Sequence, residues 1–164
     1  MKFTIKTIAV CALLTGASSA FPSGTHAGGH DDAHGHGAST IGQAGEASKV
    51  NRTIAIEMTD AMRFTPDKLA VKRGETIRFV VTNSGKIKHE FNLGTQADLN
   101  AHYELMKKFP GMEHDEPNQI SLEPGKTGEV IWQFTKAGKV SFACLHVGHY
   151  EAGMKGTVTV GATK

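Results

Sequence analysis

Between residues 51 and 164, hydrophobic positions alternate with polar ones in several short segments, which is the period of a half-buried β-strand. In the segment RTIAIEMTD, Ile54, Ile56 and Met58 alternate with small or polar neighbours. The same alternation marks the two halves of FTPDKLAVKRGETIRFVVTNSG, which join at Arg73-Gly74, and then HEFNLG, GEVIWQF, GKVSFAC and KGTVTV. About seven short strands separated by turns rich in Gly and Pro predict an all-β fold, a β-sandwich.

One segment follows a helical period instead. Thr95 is a plausible N-cap, and Asp98 follows it at the spacing of a capping box. Apolar side chains then recur at helical spacing, at Leu99, Tyr103 and Met106. Pro110 and Gly111 end the pattern. The sequence therefore predicts one helix inserted between two strands.

Residues 1–20 have the layout of a secretory signal peptide. Lys2 and Lys6 precede an apolar run over residues 8–14, and small residues follow it. The run is too short to span a bilayer, so we expect cleavage and export rather than an uncleaved anchor. Cleavage after Ala20 would release a periplasmic protein, and cleavage after Ala27 is the open alternative.

Residues 21–50 are rich in Gly, Ala, Ser and His and contain little to bury, which predicts a disordered leader. The folded domain is then expected over residues 51–164. The leader histidines at His30, His34 and His36 either bind copper weakly or only keep the segment soluble, and composition leaves both possibilities open.

The charge of the chain is balanced once the signal segment is removed. The whole sequence has 18 Lys and Arg against 16 Asp and Glu, and two of the cations, Lys2 and Lys6, lie in that segment. Balanced charge argues against nucleic acid or an anionic membrane as a partner. We expect the processed protein to be a monomer without a membrane span.

Cys144 is the one cysteine expected to survive processing, because Cys11 lies inside the apolar run of the signal segment. A single cysteine cannot form an internal disulfide, although the expected compartment is oxidising. Cys144 is therefore either a buried, inert thiol or a ligand for something bound.

Soft and borderline donors follow Cys144 closely in the sequence. His149 lies in the next loop and Met154 at the start of the next strand, and a thiolate, an imidazole and a thioether together suit copper better than magnesium or calcium. A type 1 copper centre combines two histidines, a cysteine and a weak axial methionine. His89, at the start of a strand, is the best candidate for the second imidazole. Spacing alone does not exclude His146 as the loop ligand.

The segment from about Thr53 to Val160 resembles the cupredoxins, the family of plastocyanin, azurin and rusticyanin. The resemblance lies in FTPDKLAVKRGETIRFVVTNSG, HEF and FACLHVGHYEAGM. The spacing Cys-x4-His-x4-Met is similar to that of azurin, auracyanin and rusticyanin, and it implies His149 rather than His146 as the loop ligand. The resemblance also implies a cupredoxin-like Greek-key β-sandwich with one copper ion, whose ligands are His89, Cys144, His149 and Met154.

Two neighbours of the expected ligands depart from the pattern of the family. Glu90 follows His89 where several relatives carry asparagine, and Leu145 follows Cys144 where threonine or serine is common. Both positions help to set the hydrogen bonding around the thiolate. The colour and the reduction potential therefore do not follow from the resemblance.

The long insertion HYELMKKFPGMEHDEPN and the His-rich leader are similar to those of periplasmic cupredoxins associated with bacterial copper tolerance. The resemblance implies one-electron transfer in the service of copper tolerance. A respiratory shuttle to a cytochrome or oxidase, or non-redox sequestration of copper, are the alternatives. A second, weaker copper site in the insertion would draw on His102, Met106, Met112 and His114, although packing of Met106 against the sandwich is the simpler interpretation.

We do not expect an enzyme. Copper oxidases need further clusters of paired histidines, and the His-x-His pattern occurs here only at His34 and His36, in the leader. A weak cuprous oxidase activity is left open.

Overall fold

The computed structural model describes residues 40–112 and 116–162, which form two five-stranded sheets and one complete α-helix. The elements are β1 Gln43–Ala44, β2 Arg52–Thr59, β3 Arg63–Thr65, β4 Lys68–Lys72, β5 Thr76–Asn83, β6 His89–Gly94, α1 Gln96–Lys108, β7 Gln119–Leu122, β8 Thr127–Gln133, β9 Gly138–Ala143 and β10 Lys155–Gly161. The first sheet has the order β1-β8-β5-β2-β3 and the second the order β4-β10-β9-β6-β7. No helix in this part of the chain is long and apolar enough to cross a membrane.

The strands connect as a Greek-key sandwich. Strand β2 runs parallel to β5, and β4 runs parallel to β10, whereas the other pairs are antiparallel. Consecutive strands β4 and β5 lie in different sheets, so the chain crosses from one layer to the other between them. The predicted all-β sandwich with one inserted helix is confirmed.

Apolar side chains from the alternating positions of the strands form the core between the two sheets. Ile77, Phe79 and Val81 of β5 are fully buried. The ring centroid of Phe79 lies 5.3 Å from that of Phe91 in the opposite sheet, and the centroid of Phe142 lies 5.1 Å from Phe91. Because each buried large apolar side chain contributes about 1.5–3 kcal/mol, this aromatic cluster holds the two sheets firmly together.

Helix α1 begins and packs as predicted. The Oγ1 of Thr95 accepts a hydrogen bond from the N–H of Asp98 at 3.1 Å, and the Asp98 carboxylate accepts one from the N–H of Thr95 at 3.2 Å, which completes the capping box. The buried face of the helix packs against the end of β9 and the loop that follows it. The members of this second cluster are Leu99, Tyr103, Met106, Ala143, Leu145 and Tyr150. The helix therefore supports the loop that contains His149.

The folded domain starts earlier than the sequence predicts. Residues 40–49 were expected to belong to the disordered leader, yet Ile41 is buried in the main core and β1 pairs with the edge of β8. The Nε1–H of Trp132 donates a hydrogen bond to the carbonyl of Ile41 at 3.5 Å. A Cβ at Gly42 would overlap the backbone carbonyl of Gln133, so a glycine allows this close approach. Residues 1–39, with the predicted signal peptide and the leader histidines, lie outside the described residues.

We expect Ile41→Ala to lower the free energy of unfolding by about 2–5 kcal/mol, because it empties a buried site in the core. Chemical denaturation of the metal-free protein measures this change. Gln43→Ala, at an exposed position two residues further on, is the control and should stay within about 0.5 kcal/mol of the wild type. Equally small effects from both substitutions would contradict packing of this segment.

Candidate metal centre

Two neighbouring strands position the predicted ligands at one end of the sandwich. His89 is the first residue of β6, and Cys144 directly follows the last residue of β9. Strands β6 and β9 are antiparallel, with Asn92 opposite Ala143, so the end of β9 approaches the beginning of β6. One potential ligand atom from each of His89, Cys144 and His149 lies within 4.8 Å of the others. The structure therefore brings together three of the four predicted ligands.

Backbone hydrogen bonds close the loop between β9 and β10 around this group. The N–H of Cys144 donates to the carbonyl of Met154 at 3.1 Å, and the N–H of Met154 donates to the carbonyl of His149 at 3.1 Å. The Sγ of Cys144 lies 3.3 Å from the Nδ1 of His149. Met154 is fully buried in the same core cluster as Cys144. The fourth predicted ligand is thus tied to the backbone of the cysteine.

The geometry separates the two histidines that spacing alone leaves open. The ring centroid of His149 lies 4.9 Å from that of His89, and it lies 5.5 Å from that of His146. Among the residues that the structure describes, the close group of ligand types contains His149 and does not contain His146. The Nδ1 of His89 is buried and makes no hydrogen bond to any residue that the structure describes. Two imidazoles, of which His89 is buried and His149 half-buried, and a buried thiol fit copper, a soft or borderline metal ion.

Comparison with known proteins agrees with this chemistry. A family model of copper-binding proteins, the plastocyanin/azurin family, matches residues 50–161. The chain is a cupredoxin of the plastocyanin/azurin family. The cupredoxin is 47% identical over 154 residues to the copper-resistant cuproprotein CopI of Rubrivivax gelatinosus, a match that covers 93% of each chain.

A second sequence relative and a solved structure are also similar to this chain. A copper-resistant cuproprotein CopI of Pseudomonas aeruginosa is 37% identical over 157 residues, which cover 78% of this cupredoxin and 84% of that protein. The solved structure of auracyanin B matches with a TM-score of 0.60 at 22% identity and covers 76% of this chain and 97% of its own. The likeness to auracyanin B shows a shared fold.

The surroundings of the site set the protonation of the predicted ligands in the metal-free cupredoxin. Burial raises the pKa of the Cys144 thiol to about 12, and the charge of Glu90 acts in the same direction. Burial lowers the pKa of His149, and the neighbouring imidazoles of His89 and His146 lower it further. At pH 7 the thiol therefore holds its proton, whereas His149 is neutral and offers a lone pair.

The two residues that depart from the family pattern are hydrogen-bonded to each other. Glu90 is 6% exposed, and its carboxylate accepts a hydrogen bond from the N–H of Leu145 at 2.6 Å. Burial raises the pKa of Glu90, although the bond from Leu145 opposes the shift. The side chain of Leu145 itself is fully buried against the helix. This bond attaches the residue after Cys144 to the residue after His89.

Sequence reasoning does not identify Asp60, which the structure places beside the metal centre. An oxygen of its carboxylate lies 3.1 Å from the Nε2 of His89. The pKa of Asp60 is lowered chiefly by a hydrogen bond from the N–H of Lys86, while burial opposes this shift and His89 adds to it. No local signal distinguishes Asp60, because its partner is 29 positions away and lies in the other sheet.

The insertion contributes to packing. Met106 is buried and Met112 is half-buried in the cluster around Tyr150, as the simpler interpretation of Met106 requires. His102 is half-buried on the helix, and His114 lies outside the described residues. A second copper site in the insertion or in the leader therefore stays a prediction.

We expect binding of one cuprous ion near neutral pH to release about one proton, because the ion replaces the proton of the Cys144 thiol. The affinity should therefore rise about tenfold per pH unit between the lowered pKa of His149 and the raised pKa of Cys144. Calorimetry in two buffers with different heats of ionisation counts the released protons. Cys144→Ser, whose hydroxyl is a poor copper ligand, is the control and should release none. Tight binding by the wild type without proton release would contradict ligation by the thiol.

Proposed function

We propose that this cupredoxin is an exported, periplasmic protein that holds one type 1 copper ion and serves bacterial copper tolerance. The observation that carries the proposal is the group formed by the buried His89 and Cys144 and the half-buried His149, whose ligand atoms lie within 4.8 Å of one another. Met154, which is joined to Cys144 through the backbone, would supply a thioether as the fourth ligand.

The protein's own residues determine what such a centre does. His89 begins β6 and Cys144 directly follows β9, and both side chains are fully buried in the sandwich. Their positions therefore change little when the charge of a bound ion changes. Burial also excludes water from the thiolate. Bound copper would supply a one-electron couple between its cuprous and cupric states. A rigid ligand set, of which His149 alone is partly exposed, keeps the reorganisation of that couple small, which favours one-electron transfer.

The role in copper tolerance is supported by the relatives rather than by the site alone. Two proteins named copper-resistant cuproproteins match most of this chain, one of them over 93% of its length. Export to the periplasm is supported by the signal-like segment at residues 1–20. A monomeric carrier or buffer of copper, rather than an enzyme, fits this arrangement, and slow oxidation of cuprous ion is the catalytic activity that the ligand set would allow. A dedicated respiratory shuttle to a cytochrome or oxidase, or non-redox sequestration, are the competing functions.

We expect copper-loaded protein to show intense visible absorption from charge transfer between the Cys144 thiolate and cupric ion, at one copper per chain. Cys144→Ala should abolish the absorption, and His149→Ala should abolish or strongly change it. His146→Ala is the matched control on the same loop and should retain it. Absorption and electron paramagnetic resonance spectra of the four proteins test the proposal. Loss of the signal in His146→Ala with retention in His149→Ala would reverse the assignment of the loop ligand.

We expect a deletion strain to grow more slowly than its parent at raised copper and to grow equally well without added copper. Growth rates over a series of copper concentrations test this expectation. The wild-type gene should restore growth, whereas the Cys144→Ala gene should not, because it lacks the thiol. Normal growth at raised copper together with slow respiration in its absence would favour the respiratory shuttle. Full complementation by Cys144→Ala would show that tolerance does not depend on this centre.

A further inference from the structure

Asp60 lies where the end of strand β2 meets the turn that precedes His89. Its carboxylate accepts the N–H of Lys86 at 2.8 and 3.0 Å through its two oxygens. A Cβ at Gly85 would overlap the carboxylate, so the turn can fold this closely around Asp60 only with glycine there. The backbone of the turn thus fixes the position of the carboxylate.

The same carboxylate faces the outer nitrogen of His89. The distance from the Oδ1 of Asp60 to the Nε2 of His89 is 3.1 Å. A carboxylate only accepts hydrogen bonds, so the proton of the neutral imidazole is placed on Nε2. The other nitrogen, Nδ1, then has a free lone pair, and it is buried without a hydrogen-bond partner in residues 40–112 and 116–162. The pair with Asp60 therefore prepares Nδ1 as a ligand.

We propose that Asp60 is a positioning residue of the copper centre: it holds His89 in the Nε2–H form and orients its ring so that Nδ1 faces the metal. The proposal rests on the proposed function, because it concerns the same copper site. It adds a residue outside the ligand set, directly after strand β2, which contains none of the ligands. Its negative charge, transmitted through the imidazole, also stabilises cupric over cuprous ion and so lowers the reduction potential.

Two substitutions separate the hydrogen bond of Asp60 from its charge. Asp60→Ala removes both, and it should let the His89 proton move to Nδ1 in part of the molecules. Asp60→Asn keeps an acceptor oxygen of the same shape, so it should preserve the Nε2–H form while it removes the charge. Asp67→Asn, at an exposed position in the turn between β3 and β4, removes the same charge from the surface and is the matched control.

The first readout needs no copper. Nitrogen-15 chemical shifts of the His89 ring in metal-free protein distinguish the protonated nitrogen from the one with a lone pair. We expect Nε2–H in the wild type, in Asp60→Asn and in Asp67→Asn, and a mixture of forms in Asp60→Ala. Retention of a pure Nε2–H form in folded Asp60→Ala would overturn the positioning role, as would an Nδ1–H form in the wild type.

The second readout is the copper-loaded protein. Competition with a chelator should show cupric affinity about 10- to 100-fold weaker in Asp60→Ala, the usual cost of losing such a partner of a metal-binding histidine. The reduction potential should rise in Asp60→Ala and in Asp60→Asn and stay unchanged in Asp67→Asn. Equal potentials in all four proteins would overturn the electrostatic role of Asp60. Thermal unfolding of each metal-free variant identifies any loss of affinity that comes from misfolding.

The two proposals fail in different ways. A wild type that binds no copper through Cys144 would refute the proposed function, and the metal-free tautomer of His89 would still report the effect of Asp60. A coloured wild type whose Asp60 variants have the same tautomer, affinity and potential would refute the role of Asp60 alone.

Discussion

The antiparallel pairing of β6 with β9 is the constraint on which the metal centre depends. This register places Asn92 opposite Ala143, so the next residue, Cys144, reaches the end of the sheet where β6 begins with His89. The hydrogen bond from Cys144 to the carbonyl of Met154 then closes the following loop. The positions of the predicted ligands therefore follow from the backbone pairing of the sandwich.

Burial determines which polar groups at this end of the sandwich need hydrogen-bond partners and which keep their protons. His89 and Cys144 are fully buried and Glu90 nearly so, and a polar group in such surroundings needs a partner. Glu90 has the N–H of Leu145, and the outer nitrogen of His89 has Asp60. A soft metal ion would bind the Nδ1 of His89 and the Sγ of Cys144, which take no part in these two hydrogen bonds. The same burial keeps the thiol protonated until a metal replaces the proton.

The inserted helix joins the loop to the rest of the domain. The hydroxyl of Tyr150, next to His149, donates to the side chain of Asn100 at 2.5 Å and accepts from the side chain of Gln96 at 2.7 Å. Its ring stacks on Tyr103, with the centroids 4.8 Å apart. Helix α1 therefore stabilises the loop that contains His149. The stability of the domain and the position of His149 therefore both depend on the packing of helix α1 against this loop.

Local patterns determined most of the secondary structure and the type of metal. The longer strands and the helix each contain enough residues to show a period, whereas β1, β3 and β7 have only two to four residues and show none. The donors after Cys144 indicated copper because they are close together in one segment. Only the tertiary structure decided which residues form hydrogen bonds to the predicted ligands and to their neighbours in the sequence. Asp60 and His89 are 29 positions apart, and Glu90 and Leu145 are 55 apart. Such pairs meet only through the packing of the two sheets and the register of their strands, which no local pattern specifies.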